Sequence, residues 1–206
     1  MSELRLTANL NQFRSICYAW PRDLGWPMKV GLALVMAALT GLAAQIRIPL
    51  PHTSVPVTGQ VFTVLLSGVL LGGAWGGLSQ VFYVGLGVAG VPWFTGGVAG
   101  APLGPTAGYL LGFIPAAALV GIVSDRFVWA RLLAPQVTLM MIGAAIIYLF
   151  GAVGFSLFTG FGLAATVKAA VLPFVVVDLF KAIAAAMISA ALLPKKPGKA
   201  DASDRR

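Results

Sequence analysis

Between Ile48 and Ser124 this chain has no Asp, Glu, Lys or Arg, a neutral run of 77 residues. A soluble fold of that length must spread charge over its surface, and soluble domains carry about 25% charged residues. This chain carries 10%. Inside a bilayer there is no water to satisfy backbone N–H and C=O groups, so a spanning segment satisfies its own, as a helix does. A span needs ~20 mostly apolar residues, and the neutral run alone has room for three. The chain reads as an all-α integral membrane protein of the multi-pass kind. Its 206 residues leave no space for a soluble domain of useful size.

Apolar runs and their breakers divide the chain further. Residues 1–27 are mixed in polarity, with Trp20 and Trp26 suited to the headgroup layer, and form a cytoplasmic or interfacial lead-in. Residues 28–193 form a membrane domain of six spans, at about 28–46, 57–71, 72–91, 106–123, 132–153 and 168–193. The Pro-rich 49–56 segment ends the first span as a loop, because Pro lacks an amide donor. Gly72, Gly73, Gly76 and Gly77 mark a tight reversal into the third, and Pro173 predicts a kink in the sixth. Residues 194–206 are charged and small, a disordered basic tail.

Six spans put both termini on one side, and the basic residues choose the cytoplasm. Arg5, Arg14, Arg22, Lys29, Arg126, Arg131, Lys195, Lys196, Lys199, Arg205 and Arg206 then lie inside, against Arg47 and Lys168 outside. Eleven against two is the bias expected of a protein in the cell membrane.

Several function classes drop out. The net charge of +8 sits at the ends of apolar runs and does not interleave with aromatics on one face, so no nucleic-acid partner is expected. Lone Cys17 allows no internal disulfide and no Cys-based metal cage. His52, the only histidine, has no acid near it and reads as a solvated or capping loop residue, so neither a metal nor a cofactor is expected. Gly85, Gly87 and Gly90 match G-x-G-x-x-G but lie inside an apolar span, not after a strand; they read as points of close helix approach. No P-loop is present for ATP hydrolysis. An integral membrane enzyme needs clustered acids, histidines or a metal site, whereas the spans hold one acid, one lysine and no histidine. A stand-alone secondary transporter is the remaining rival, although no inverted repeat is visible.

The acid and the lysine are Asp178 and Lys181. They lie at i and i+3, on one face of the last span, with Asp178 ten residues beyond Lys168 and hence ~15 Å along a continuous helix. An ionisable residue at depth is a functional-site hypothesis, with a self-neutralising structural pair as the alternative. Ala33, Ala37 and Gly41 recur at four-residue spacing in the first span, a stripe that admits close helix packing, within this chain or with a partner helix. Gly68 with Gly72 and Gly108 with Gly112 repeat the spacing and fit an internally packed bundle. Gln45, Gln60, Gln80, Thr58 and Thr63 are neutral hydrogen-bonding groups near span ends.

Four stretches occur together in one order: IPLPHTSVPVTGQVFTVLLSGVLLG from Ile48, YVGLGVAGVPWFTGG from Tyr83, GPTAGYLLGF from Gly104 and DLFK from Asp178. Jointly they resemble the BioY family, the biotin-specific S components of energy-coupling factor (ECF) transporters, with an S component for another vitamin as the alternative. The resemblance runs from about Ala33 to Lys181. It implies a six-helix S-component bundle in membrane lipid, biotin bound near the outer face, and a first loop that caps the site. It also implies a partner module of a transmembrane T component and two ATPase subunits. By position, Asp178 and Lys181 are the implied ligand contacts, and Ala33, Ala37 and Gly41 the implied T-component contacts. On this reading Asp178 accepts from the ureido N–H groups and Lys181 donates to the ureido oxygen, although Lys181 on the ligand carboxylate is the alternative. Thr58, Gln60 and Phe94 close over the tail, and Tyr109 forms an amphipathic wall. The chain departs from the family's usual G-P-T-G-G-Y at Ala107, and its loop from Gly96 to Gly104 is short and carries no charge.

Overall fold

The computed structural model describes residues 2–51, 53–101 and 104–195. His52, most of the 194–206 tail with Lys196, Lys199, Arg205 and Arg206, and the side chain of Arg5 lie outside the described residues. In chain order the elements are α1 (Ser2–Asp23), α2 (Trp26–Gln45), β1 (Arg47–Leu50), β2 (Thr53–Thr58), α3 (Gln60–Leu71) and α4 (Gly73–Val88). They continue as α5 (Ala107–Arg126), a 3-10 turn (Val128–Arg131), α6 (Leu133–Thr159), α7 (Leu163–Ala170) and α8 (Leu172–Leu192).

Helices α2, α5, α6 and α8 are long and apolar enough to cross a membrane. With 12 and 16 residues, α3 and α4 extend only about 18 and 24 Å at 1.5 Å per residue, short of a ~30 Å hydrocarbon core. Large apolar side chains stand exposed along the long helices, among them Leu42, Leu149, Leu157 and Phe180, as lipid-facing surfaces require.

The six apolar helices alternate in direction between two ends of the bundle. At one end α1 is clasped to the rest. Arg22 pairs with Asp125 at the end of α5, and Asp125 accepts from Tyr18 Oη at 3.3 Å and from the Gly73 amide at 3.2 Å. Arg131, fully buried, donates to Tyr18 Oη at 2.7 Å and to the carbonyls of Ser124 and Asp125 at 2.7 and 2.9 Å. The Tyr18 ring lies against both guanidinium groups, 3.7 and 4.2 Å from their central carbons. Arg14 Nε donates to Ala191 O at the end of α8. The hairpin, the 89–106 connection and α7 gather at the opposite end.

Inside, α3, α4 and α5 touch backbone to backbone. A Cβ on Gly76 would stand 2.5 Å from Gly68 Cα, and one on Gly121 would stand 2.6 Å from Gly73 Cα. Such approach maximises dispersion where lipid leaves no hydrophobic drive between helices. Gln80, buried midway along α4 and not near a span end as expected, donates to Ser67 and Ser79 Oγ at 3.0 Å each.

Three expectations need correction: the loop at 49–56, the continuous sixth span and the close helix approach at Gly85, Gly87 and Gly90. Residues 47–58 form an antiparallel hairpin where a loop was expected; a two-stranded sheet is all edge, so Pro49 and Pro56 remove no essential ladder bond, and the register slips between Ile48 and Leu50. Within residues 1–27, α1 is a docked helix. The sixth span is not continuous from 168: α7 ends at Ala170, Val171 leaves helical geometry, and Pro173 occupies the first turn of α8, where a missing amide costs nothing. Asp178 therefore lies six residues, about 9 Å, from the start of its own helix. Of the three glycines in the G-x-G-x-x-G match, Gly85 and Gly90 face open space and Gly87 receives the Phe94 ring, so none joins two helices.

The Ala33, Ala37 and Gly41 stripe lies on the buried face of α2. Ala33 and Ala37 are 0% exposed, and a Cβ on Gly41 would stand 2.9 Å from Trp93 Cβ. The stripe packs against this chain's own helices and the 89–106 connection.

Candidate functional site

The end of the bundle opposite the clasp encloses a cavity of about 230 Å³. Most of its wall is apolar: Val55 and Val61 from the β2–α3 junction, Val98 from the 89–106 connection, Leu110 and Phe113 from α5, Ile147 from α6 and Phe174 from α8. Thr58, Gln60, Thr95, Thr106, Tyr109, Tyr148, Asp178 and Lys181 supply the polar groups. All six residues singled out as ligand contacts by sequence thus line this one cavity, although they come from five different elements.

Asp178 and Lys181 lie one turn apart on α8, and Lys181 Nζ reaches Asp178 Oδ1 at 2.6 Å. The carboxylate side chain is 3% exposed and the lysine 17%, so the pair sits where the cavity meets the protein interior. The other carboxylate oxygen accepts from Tyr148 Oη at 2.6 Å. Each carboxylate oxygen has a second lone pair, and the ammonium has three N–H groups of which Asp178 uses one. The cluster therefore keeps acceptor and donor capacity for a ligand that presents both N–H and C=O.

Gln60 is a junction more than a free donor. Its Nε2 donates to Tyr83 Oη at 2.8 Å, while its Oε1 accepts from Thr58 Oγ1 at 2.8 Å and Thr95 Oγ1 at 3.2 Å. One side chain thereby ties the hairpin, the 89–106 connection and α4 together. Gln45 adds a second tie, with Nε2 3.2 Å from the carbonyls of both Trp93 and Phe94, and the Trp93 indole donates to Tyr83 O at 2.9 Å. These bonds hold Phe94 edge-on to Tyr83, ring centres 5.5 Å apart, with its ring lodged over Gly87. Tyr109 presents its ring to the cavity and spends its hydroxyl on Ala170 O, which anchors the end of α7.

Sequence reasoning missed Tyr148, which lies mid-span on α6 with no local spacing to link it to Asp178, 30 residues away. A tyrosine hydroxyl inside an apolar run was the only available signal. Among the described residues no three His, Cys, Asp or Glu side chains come together to hold a metal ion.

A model of the BioY family matches residues 20–197. A probable biotin transporter BioY from Methanothermobacter thermautotrophicus is 44% identical over 142 residues, 64% of this chain and 90% of the relative. One of the same name from Pyrococcus horikoshii is 38% identical over 164 residues, 78% of this chain and 93% of the relative. The biotin transporter BioY of Thermotoga maritima is 37% identical over 160 residues, 75% of this chain and 89% of the relative. Among solved structures, the crystallised S component for biotin from an ECF-type ABC transporter superposes with a TM-score of 0.74 at 24% identity. The match covers 83% of this chain and 93% of that one, so the two share a fold.

Proposed function

The chain belongs to the BioY family, and from that premise we propose that it is the biotin-binding subunit of a membrane transporter. The observation that carries the reading is the cluster of Asp178, Lys181 and Tyr148 at the inner end of an otherwise apolar cavity. Biotin pairs a compact ureido ring, with two N–H donors and one C=O acceptor, with an apolar bicycle and tail. The open lone pairs of Asp178 take the N–H groups, and the remaining ammonium hydrogens of Lys181 take the ureido oxygen. Tyr109, Phe113, Phe174 and Phe94 supply the apolar wall, with Thr58 beside the tail. Gln60 acts through the hairpin and loop that it ties, which close the cavity.

Six membrane crossings, with both termini in the cytoplasm of a cell membrane, fit this function. The cavity end then faces outward and receives the vitamin. Even with Arg131 assigned to the buried clasp, basic residues stand ten to two in favour of that orientation. Within a lipid bilayer that local protein thins, the short α3 and α4 complete the crossing together with the hairpin and the glycine-rich turn. Uptake is energised by a partner T component and two ATPase subunits, since this sequence has no P-loop.

Equilibrium binding to purified protein with biotin, thiamine and riboflavin tests the reading. Saturable binding of biotin that the other two do not displace is the expected result. No biotin binding by monodisperse protein removes it.

A further inference from the structure

Biotin ends in a carboxylate, and the inner end of the cavity has no net charge to offer it, because Lys181 is neutralised by Asp178 at 2.6 Å. The wall contributed by β2, α3, the 89–106 connection and α5 lies within the charge-free run, so it supplies no cation. The hairpin does. Arg47 opens β1 directly opposite Thr58 in the antiparallel register. Opposed residues project from the same face of a sheet, so Arg47 leaves the hairpin on the face of Pro56 and Thr58, both of which line the cavity.

Its guanidinium then reaches the neighbouring connection. Arg47 Nη1 lies 2.5 Å, and Cζ 3.3 Å, from where a Cβ on Gly96 would stand. Gly96, held at φ +85°, is next to Thr95 and two residues from Val98, both on the cavity wall. Arg47 is exposed, and none of the described residues forms an ion pair or hydrogen bond with its guanidinium. An uncommitted planar cation thus stands beside the stretch from Thr95 to Val98, two residues that line the cavity, and a guanidinium fork matches both oxygens of a carboxylate.

Resting on the biotin reading above, we infer that Arg47 is the carboxylate-binding residue of this site, holding the end of the biotin tail and selecting the free acid over its neutral derivatives. Besides Lys181, which Asp178 neutralises, the other cation at this end among the described residues is Lys168, exposed on α7.

The test titrates biotin and biotinamide against the parent protein, Arg47→Gln and Lys168→Gln, at low and high salt. The parent is expected to bind biotin about tenfold more tightly than the amide at low salt, as a partly exposed charge-assisted contact allows, and the preference shrinks at 1 M salt. Arg47→Gln should lose that tenfold for biotin while amide affinity changes less than twofold, and Lys168→Gln should keep the preference. An Arg47→Gln protein that still prefers the acid, or that loses acid and amide equally, overturns the assignment while the biotin reading of the parent protein stands. A preference lost in Lys168→Gln instead moves the role to that residue and equally overturns it. A parent that binds neither compound overturns the biotin reading, and this inference with it.

Discussion

Breaking the Asp178–Lys181 pair one partner at a time, and then both together, separates a ligand site from a structural ion pair. The carboxylate is 3% exposed and has two protein donors, Lys181 Nζ and Tyr148 Oη, both at 2.6 Å. Lys181→Met keeps the stem and the packing but leaves a buried carboxylate with one neutral donor; Asp178→Asn leaves the ammonium without its counter-charge. Removing one partner of a buried pair costs roughly 3–5 kcal/mol, divided between folding and ligand binding. If about 2.8 kcal/mol falls on the ligand, biotin affinity drops ~100-fold. The double variant removes both charges, so stability recovers while affinity does not, and the losses are far from additive. Radiolabelled biotin titrated against the monodisperse fraction from size-exclusion chromatography reads affinity, and thermal unfolding in detergent reads stability. A merely structural pair behaves otherwise: the singles unfold more easily, yet the surviving folded fraction binds normally. Affinity within about threefold of the parent in both singles would refute the assignment.

Three further outcomes follow from the packing and the clasp. Ala37→Trp puts an indole where exposure is 0% and should lower the thermal midpoint and the yield of monodisperse protein, whereas Ala38→Trp, on the exposed face of α2, should do neither; equal tolerance of both would reopen a partner role for the stripe. In a Cys17→Ser background, Ala101→Cys should react with an impermeant thiol reagent in intact cells and Trp129→Cys, at a position 58% exposed at the clasp end, should react only after lysis; the reverse pattern inverts the orientation. Asp125→Asn leaves Arg22 without its counter-charge and should destabilise the fold by ~3 kcal/mol and free α1 to proteolysis, while biotin affinity of the intact protein stays within twofold; unchanged protease sensitivity of α1 refutes the clasp.

The charge-free run, the helical class, and the shared face of Asp178 and Lys181 were all legible in the sequence, because each depends on local quantities. The cost of placing a charge in hydrocarbon belongs to the residue itself, and an i, i+3 pair meets on any helix. The apolar runs located the helices, but not where Val171 would break one, since a proline inside a run is compatible with a kink or with a fresh start. The family pattern pointed to Thr58, Gln60, Phe94 and Tyr109. It could not say that Gln60 and Tyr109 would spend their polar atoms on neighbouring segments.

Direction was what only the tertiary structure decided. A stripe of small residues such as Ala33, Ala37 and Gly41 reads the same whether it meets a partner or its own chain, because the sequence carries the spacing and not the neighbour. Tyr148 meets Asp178 only because α6 lies beside α8, and Arg47 comes to Gly96 only because the hairpin sets it opposite Thr58 and next to that connection. Such contacts join residues far apart in the chain, and their free energy exists only once the helices have packed.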